Sequence, residues 1–398
     1  MSETGAEIAL RAPGSAAARI ARPVRTAAVG MSIGPTCGVR DHALVLAEAL
    51  DRENVSCSLH WLGRSEESIG AARSEIRAWT QELAAELDGS RPDAVLLHYS
   101  VFSYSYRGFP LFVHPTLAAL HSSRIPLITV LHEFVFAAKL GGLRGKAWAA
   151  TQRALLIAVM RASAAVVVTT DFRAEWLVSR PWLSRRPVVF APVFSNLPPA
   201  AIRPRSDRGY QVIGLFGYSY RQATVSIVLD ALRRLEDRGL RVQLKLLGAP
   251  GPESELAEVW RVAARTRAIA QALSFSGVLS AQDLSDALAG CDVLLCVDPP
   301  GPTSRKTTLA ASLASGTAVI ALDGPRRWSE LIESEAARVV QPTSLALADE
   351  LDALLADQSL REALGARGRA FAERSMSVGR SAGAVAGLLD DILSAGRP

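Results

Sequence analysis

Short apolar runs alternate with longer amphipathic stretches along almost the whole chain. Apolar runs of this kind, bounded by turn residues, are typical of buried parallel strands, and the stretches between them are long enough for crossover helices. Six strands are predicted in the first half: Val24–Met31, Val55–Trp61, Ala94–His98, Pro126–Leu131, Ala164–Thr169 and Pro187–Phe190. Six more are predicted in the second half: Gln211–Phe216, Arg241–Leu247, Leu273–Ser276, Val293–Val297, Thr317–Ala321 and Ala337–Val340. The pattern predicts two doubly wound α/β domains, with a cleft at the carboxyl ends of both sheets.

Helical periodicity fills the gaps between these strands. The predicted helices are Arg40–Leu50, Val225–Arg238, Glu253–Leu273, Arg305–Ser315, Leu345–Arg374 with a break near Gln358, and Val378–Ser394. A stretch rich in proline and arginine follows Phe190 and can continue neither a strand nor a helix, so we expect the interdomain linker there. The expected divisions are a disordered tail at 1–23, an N-terminal domain at 24–195, a linker at 196–210, a C-terminal domain at 211–376 and a helix at 377–398. Packing of that last helix on the N-terminal domain is left open.

Composition limits the class of protein and its expected location in the cell. The chain has 398 residues, which exceeds a comfortable single core, and a mean hydropathy of +0.18. No apolar run reaches the roughly 18–20 residues of a spanning helix, and the first 23 residues lack the apolar centre of a signal peptide. Four cysteines form no Cys-x-x-Cys pair, which favours buried reduced thiols. We therefore expect a cytoplasmic protein, with peripheral contact at the inner membrane face left open.

The net charge of +5 is unevenly distributed. Residues 1–200 hold 21 Lys and Arg against 16 Asp and Glu, whereas residues 201–398 are balanced. An excess in the first half fits an anionic acceptor or an anionic membrane surface. The arginines are spread thinly, which argues against nucleic acid as a partner.

The turn after the first predicted strand contains Gly34 and Gly38. Glycines permit a tight turn, and the helix that follows points its free N–H groups into the cleft. The turn is a candidate contact for an acceptor or a donor phosphate. A plain strand–helix connection is an equally supported alternative.

Five motifs, taken in chain order, resemble those of the family 4 glycosyltransferases. They are Cys37–His42 with Leu46–Leu50, Arg91–Tyr99, Thr129–Glu133, Phe275–Ser280 and Ala314–Ile320. The resemblance implies the GT-B fold, in which two Rossmann-like domains face each other across a cleft. It also implies transfer of a sugar, with retention, from a nucleotide-diphosphate sugar to a small-molecule or glycan acceptor. That nucleotide sugar would be a substrate, and no cofactor is expected.

Two strand ends of the first half carry candidate chemistry. His132 ends a predicted strand, where it could donate a hydrogen bond to the transferring sugar, and the resemblance implies contact with the donor sugar. Glu133 could orient this ring or meet an acceptor hydroxyl. His98 and Tyr99 hold a similar place on another strand and are assigned to the acceptor side. The alternative for His132 is a hydrogen-bonded core histidine.

In the second half, Gly217, Tyr218 and Arg221 follow the first strand. The resemblance implies an arginine and a lysine at this place, which neutralise the diphosphate as negative charge grows on it. Arg221 matches in kind but is displaced, and no lysine follows it. Gly277 and Val278 would lie beside the base, as the resemblance suggests.

The missing cation is expected at the start of the predicted helix Arg305–Ser315. Thr303 or Ser304 is predicted to cap this helix, whose first amides and dipole favour an anion. Arg305 and Lys306 would then hold the diphosphate. Ser304, Thr307 and Thr308 would donate hydrogen bonds to the donor.

The chain also departs from the family. The two glutamates usual in this region fall on Thr303 and Ala311, and nothing acidic occurs between Asp298 and Asp323. Either recognition of the sugar and ribose differs or the site is degenerate. The alternatives are a non-catalytic GT-B-like nucleotide-binding or partner subunit, a sugar-nucleotide epimerase and a phosphorylase. Asp-x-Asp and His-Glu-x-x-His motifs are absent, so we expect a metal-independent enzyme.

Two stretches of the first half raise the question of lipid contact. Phe102, Tyr104 and Tyr106 alternate and could stack on a sugar or a lipid, or form an ordinary half-buried extended segment. Residues Gly145–Arg161 interleave basic and apolar positions, which fits either membrane docking or a helix that faces the core.

Overall fold

The computed structural model describes residues 22–33, 37–65, 68–133, 135, 142–180, 183, 186–201 and 209–395. The chain divides into two compact units. The N-terminal unit comprises Met1–Pro192 together with Val378–Pro398, and the C-terminal unit comprises Val193–Ser377.

The N-terminal unit is built on a parallel sheet of six strands. These are β1 (Val24–Ile33), β2 (Val55–Arg64), β3 (Ala94–Ser100), β4 (Leu127–Glu133), β5 (Ala165–Val168) and β6 (Val188–Phe190), in the order β2-β1-β3-β4-β5-β6. Its helices up to this point are α1 (Gly38–Asp51), α2 (Ile69–Ser90), α3 (Val113–Ser122), α4 (Gly142–Ala162) and α5 (Asp171–Val178). Every residue of β3 is buried, which is expected for a central strand covered on both faces.

The C-terminal unit repeats the same plan with a different strand order. Its strands are β7 (Gln211–Phe216), β8 (Val242–Leu247), β9 (Leu273–Phe275), β10 (Val293–Cys296), β11 (Ala318–Leu322) and β12 (Arg338–Val340), in the order β12-β11-β10-β7-β8-β9. Its helices are α6 (Gln222–Asp237), α7 (Glu255–Thr266), α8 (Ala281–Ala289), α9 (Thr307–Ala314), α10 (Ser329–Glu333), α11 (Ser344–Ala356) and α12 (Gln358–Ser375). This is the strand order of a Rossmann sheet.

The last helix, α13 (Val378–Ala395), belongs to the N-terminal unit. It packs against α1, β5 and β6. The buried Ser381 hydroxyl donates a 2.8 Å hydrogen bond to the carbonyl of Pro192, just after β6.

All twelve predicted strands are present, with ends that differ by at most three residues. The predicted break near Gln358 is confirmed, and the Asp357 carboxylate caps α12 by accepting from the Leu360 N–H at 3.0 Å. The prediction of a continuous helix Glu253–Leu273 is wrong. Helix α7 stops at Thr266 because Ala268 adopts a left-handed conformation with φ of 58°, and a 3-10 turn follows at Ala270–Ala272.

Both stretches that raised the question of lipid contact lie in the N-terminal unit. Phe102 is half exposed, whereas Tyr104 is buried, and the segment forms turns, so the alternative of a half-buried extended segment is wrong. Helix α4 buries one side, from Gly145 to Met160, in agreement with a helix that faces the core. Among the described residues, no helix is both long and apolar enough to cross a bilayer.

All four cysteines are free thiols. Cys291 and Cys296 are buried, whereas Cys37 and Cys57 are only half-buried, so the expectation of burial holds for two of the four.

Candidate functional site

The order of the C-terminal strands creates a crevice between β7 and β10. Connections leave these neighbouring strands in opposite directions, and ligands of open α/β sheets bind at such switch points, outside the carboxyl ends of the strands. Gly217 follows β7 with φ of 70°, and a Cβ on it would lie 3.5 Å from the Thr308 side chain. The structure therefore brings together two of the predicted donor-binding residues. Arg221 is exposed immediately before α6.

Helix α9 starts two residues later than predicted. Its N-cap residue is Lys306, in an extended conformation and without a side-chain cap, so the predicted cap by Thr303 or Ser304 is wrong. Ser304 is fully buried, and its carbonyl accepts a 3.2 Å hydrogen bond from Val193 N–H. The helix begins at Thr307 because this backbone hydrogen bond holds the loop ahead of it.

Lys306 forms an ion pair that the sequence did not predict. Its Nζ lies 2.7 Å from Oδ1 of Asp298, a carboxylate on a residue only 8% exposed. Tyr220 lies close by, and burial followed by the Asp298 charge raises the pKa of its phenol, which stays protonated. Asp298 could have been identified from sequence, since it follows a buried strand directly and is the last acidic residue before the cation pair.

Two arginines lie on the loops after β10 and β11: Arg305 follows β10 and Arg326 follows β11. The loops are bound to each other, since Arg326 N–H donates to Pro300 O and Trp328 N–H to Pro302 O, each at 2.8 Å. Burial, and then the charge of Arg326, lower the pKa of Arg305 from its usual value. Arg305 and Arg326 are therefore near enough to interact electrostatically, close to the start of α9. Arg326 was missed because it lies on a different connection from the predicted pair.

The close approach of the loops after β10 and β11 depends on two glycines, Gly301 and Gly324. A Cβ built on Gly324 would overlap the backbone of Pro300 and Gly301. The backbones after β10 and β11 touch directly, and a side chain at Gly324 would separate them.

The predicted base-binding residues follow β9. Gly277, with φ of 69°, lies in a loop that contacts the loop after β8, where Gly248 N–H donates to Ser276 Oγ at 3.1 Å. Val278 is 80% exposed at this same carboxyl edge, so an apolar surface is available there.

Tyr218, also predicted to bind the donor, is fully buried in the core. Its hydroxyl accepts a 2.9 Å hydrogen bond from Gly251 N–H, and its carbonyl accepts one of 3.0 Å from Trp260 Nε1–H. The side chain anchors the loop after β8, and this position does not bring its hydroxyl to the surface.

In the N-terminal unit, the switch point lies between β1 and β3. Three histidines meet there, which we call the histidine cluster: His42 on α1, His98 on β3 and His132 on β4. His98 Nδ1 and His132 Nε2 are 3.2 Å apart, and the His42 ring centroid lies 4.9 Å from that of His132. His42 is in one of the quoted motifs but was not predicted as a site residue. The signal was its place near the start of α1, the helix that follows β1.

The histidine cluster is buried and uncharged. His42, His98 and His132 are 5%, 1% and 7% exposed. Burial lowers the pKa of His42 to about 4, and burial with the neighbouring His42 lowers the pKa of His98 to about 3. The pKa of His132 is lowered in the same way, first by burial and then by the two other rings. The rings therefore act as neutral hydrogen-bonding groups near pH 7.

The other predicted residues of this unit are placed differently. Tyr99 points to the opposite face of β3 from His98, where it is fully buried against Tyr104 at 5.3 Å between ring centroids. Glu133 is half-buried, and its carbonyl accepts from Val101 N–H at 2.6 Å. Gly38 is exposed at the start of α1, and Gly34 lies outside the described residues.

The described part of the chain contains no group of three or more His, Cys, Asp and Glu side chains that could hold a metal ion.

By sequence, part of the chain is similar to phosphatidyl-myo-inositol mannosyltransferases from Mycobacterium tuberculosis and Mycobacterium bovis. A stretch covering 42% of the chain is 30% identical, over 172 residues, to phosphatidyl-myo-inositol mannosyltransferase from Mycobacterium tuberculosis. The match covers 43% of that protein, so the chain spans less than half the length of the curated relatives it matches. No protein-family model matches the chain.

Solved structures resemble nearly the whole chain. A glycosyltransferase from Rickettsia africae superimposes with a TM-score of 0.68 at 13% identity, covering 93% of this chain and 99% of its own. HepE from Anabaena, in complex with UDP and glucose, gives a TM-score of 0.64 at 13% identity, covering 92% and 100%. UDP-GlcNAc 2-epimerase from Neisseria meningitidis, bound to UDP-GlcNAc, gives 0.53 at 9% identity, covering 94% and 100%.

At these identities the likeness shows the fold. The predicted fold class is confirmed: the chain has the two Rossmann-like domains of the GT-B fold, and part of its sequence resembles a mannosyltransferase.

Proposed function

We propose that the protein is a glycosyltransferase whose nucleotide-diphosphate sugar binds at the carboxyl edge of the C-terminal sheet. The observation that carries the proposal is the concentration of Arg305 and Arg326 beside the start of α9, at the switch point of a Rossmann sheet. Negative charge grows on the diphosphate as the sugar departs, and fixed cations with helix amides stabilise it. These groups supply the required charge without a metal ion, and Arg221 adds a further cation at the edge of β7.

The remaining roles follow from this placement. Gly217, Thr307 and Thr308 approach the diphosphate, and Gly277 with the exposed Val278 contacts the base. On the family resemblance, we also assign His132 to the donor sugar, as a neutral hydrogen-bond donor. The named activity of the mannosyltransferase supports a hexose donor, and the named ligands of HepE and the epimerase support a nucleotide sugar. Retention of configuration rests on the family resemblance.

The acceptor and the setting are also part of the proposal. We assign a small-molecule or glycan hydroxyl as acceptor and a cytoplasmic location. The mannosyltransferase is named for a lipid acceptor, which supports peripheral contact with a membrane.

Titration calorimetry with UDP and GDP tests the proposal directly. Arg305→Ala should weaken binding of the preferred nucleotide about 10- to 100-fold, since a hydrogen bond to a charged group contributes about 1.5–3 kcal/mol. Arg233→Ala is the matched control, because Arg233 is an arginine of the same unit that pairs with Asp237 on α6 at 2.9 Å. If Arg305→Ala and the unchanged protein bound the nucleotide with equal affinity, Arg305 would not be part of the nucleotide site.

A sugar-nucleotide epimerase is the second candidate. The resemblance to UDP-GlcNAc 2-epimerase favours it, whereas the lack of acidic residues at Thr303 and Ala311 favours a non-catalytic subunit. Product analysis with a nucleotide sugar, with and without acceptors, separates the two reactions, because an epimerase changes the donor when no acceptor is present. Nucleotide binding without any turnover would instead indicate a non-catalytic subunit.

A further inference from the structure

The histidine cluster contains one hydrogen bond between two rings. His98 Nδ1 and His132 Nε2 lie 3.2 Å apart, with ring planes inclined by 23° and centroids separated by 5.5 Å. Because both rings are neutral at pH 7, each carries a single N–H. One of the two facing nitrogens must then hold the proton, and the other must accept it.

The position of this proton decides what His132 can do with its remaining nitrogen. If His132 Nε2 donates, its Nδ1 is bare and can only accept. If His98 Nδ1 donates, His132 keeps its own proton on Nδ1 and can donate it to another group. The tautomers of His98 and His132 are therefore coupled through this hydrogen bond.

On the basis of the proposed function, in which His132 donates to the donor sugar, we infer that His98 is a positioning residue. Its Nδ1–H donates to His132 Nε2 and keeps the proton of His132 on Nδ1. His98 does not touch the substrate and acts through His132 alone.

The surroundings hold both rings in this arrangement. Helix α1 places the His42 ring edge-on to His132, at an interplanar angle of 85°, and Arg173 Nη1 donates to the His132 carbonyl at 2.8 Å. His98 lies in β3, where every residue is buried. The two buried rings therefore pack against each other and against His42, and the hydrogen bond between them couples their tautomers.

The tautomer can be read without any activity measurement. The chain has six histidines, and NMR spectra of protein with ¹⁵N-labelled imidazoles distinguish Nδ1–H from Nε2–H rings. We expect His132 in the Nδ1–H form at pH 7, assigned by its absence from His132→Ala. An Nε2–H form of His132 in the unchanged protein would overturn the inference.

Two variants at position 98 separate hydrogen bonding from packing. In His98→Asn, the side-chain NH2 can still donate to His132 Nε2 although its oxygen can also accept, so the Nδ1–H form of His132 should remain the larger population. In His98→Leu, no donor remains, and His132 should become a mixture of tautomers. An unchanged His132 spectrum in His98→Leu would also overturn the inference. The matched control is His121→Leu, because His121 is an exposed histidine of α3.

Kinetics of sugar transfer give the second readout. His98→Leu should lower kcat about 10-fold or more with the donor KM changed less than about 3-fold, whereas His98→Asn should stay within about 3-fold of the unchanged kcat. Equal losses of kcat in both variants would contradict the role of the hydrogen bond. If His132→Ala transferred sugar at the full rate, the proposed role of His132 would fail, while the spectra would still report whether His98 sets its tautomer.

Discussion

At the scale of single residues, Lys306 shows how a partner changes the role of a charged side chain. The sequence suggested that Lys306 and Arg305 together hold a diphosphate, but Lys306 is already paired with Asp298 at 2.7 Å. An ammonium group beside a carboxylate contributes little net positive charge to its surroundings. The ion pair therefore reduces the positive charge that Lys306 offers to the proposed anion site.

Replacing Asp298 should have opposite effects on stability and on binding. Asp298→Asn leaves Lys306 partly buried without its counter-charge, so we expect the free energy of unfolding to fall by roughly 1–3 kcal/mol. The same change releases positive charge at the start of α9, and nucleotide affinity should rise about 3- to 10-fold. Chemical denaturation and calorimetry measure the two effects.

Asp349→Asn is the control for Asp298→Asn, because Asp349 pairs with Arg238 on the surface. It should cost no more than about 1 kcal/mol and leave nucleotide affinity unchanged. A loss of nucleotide affinity in Asp298→Asn would show that the carboxylate itself takes part in binding.

Which residues form the site was only partly predictable. Gly217, His98 and His132 were selected because they end or follow buried strands, whose carboxyl ends meet at one edge of a sheet. Arg305 and Thr308 were selected because they lie at the start of a predicted helix. Arg326, Asp298 and His42 were missed because their roles depend on contacts between loops or between helix and sheet. Tyr99 and Tyr218 were selected by position along the chain, but their side chains face the core.

At the scale of elements, the loops after β10 and β11 act as one structure. The hydrogen bonds from Arg326 and Trp328 join their backbones, and Gly324 permits the close approach. This pairing brings Arg305 and Arg326 near each other although they lie on different connections.

Gly324→Ala should therefore disturb the loops and the site together. Its Cβ would overlap backbone, which can yield only by separation of the two loops, so we expect a loss of roughly 1–3 kcal/mol in stability. Nucleotide affinity should fall as well, because Arg326 moves away from Arg305. Thermal unfolding and nucleotide titration of the same preparation test both effects.

Gly387→Ala is the control for Gly324→Ala and should have the opposite effect on stability. Gly387 lies in the exposed interior of α13, with nothing within 4 Å of an added Cβ, so alanine should stabilise the helix by about 0.5–1 kcal/mol. Stabilisation by Gly324→Ala would mean that the two loops do not pack as described.

The elements themselves were predictable to within a few residues. Apolar runs fixed the strands because buried parallel strands need nearly continuous apolar sequence. Helix ends were less accurate, since α7 ends at a left-handed Ala268 and α9 begins only after a loop held by backbone contacts. Neither event leaves a clear signal in a periodic pattern.

At the scale of the whole molecule, the histidine cluster makes the stability of the N-terminal unit depend on pH. The folded-state pKa of His42 is about 4 and that of His98 about 3, against 6.5 for an ordinary histidine. As the pH falls below 6.5, the unfolded chain binds protons that the folded unit does not accept. Stability present at pH 7 is therefore lost progressively toward pH 4.

At pH 5 the expected loss is about 2 kcal/mol for each of His42 and His98, with a further contribution from His132. Thermal unfolding at pH 7, 6 and 5 should show a falling midpoint for the N-terminal unit. His42→Gln removes one of the three titrating rings and should reduce the pH-dependent part by about a third. The same acid sensitivity in His42→Gln and in the unchanged protein would rule out His42 as a contributor.

Because α13 packs on the N-terminal unit, it affects the order in which the two units can fold during synthesis. The C-terminal unit is continuous from Val193 to Ser377, whereas the N-terminal unit includes a helix that is synthesised only after the whole C-terminal unit. On the ribosome, the unit that starts second can therefore finish folding first. Until residues 378–395 emerge, α1, β5 and β6 of the nascent chain lack their final packing partner, and this surface is the one that chaperones would have to protect.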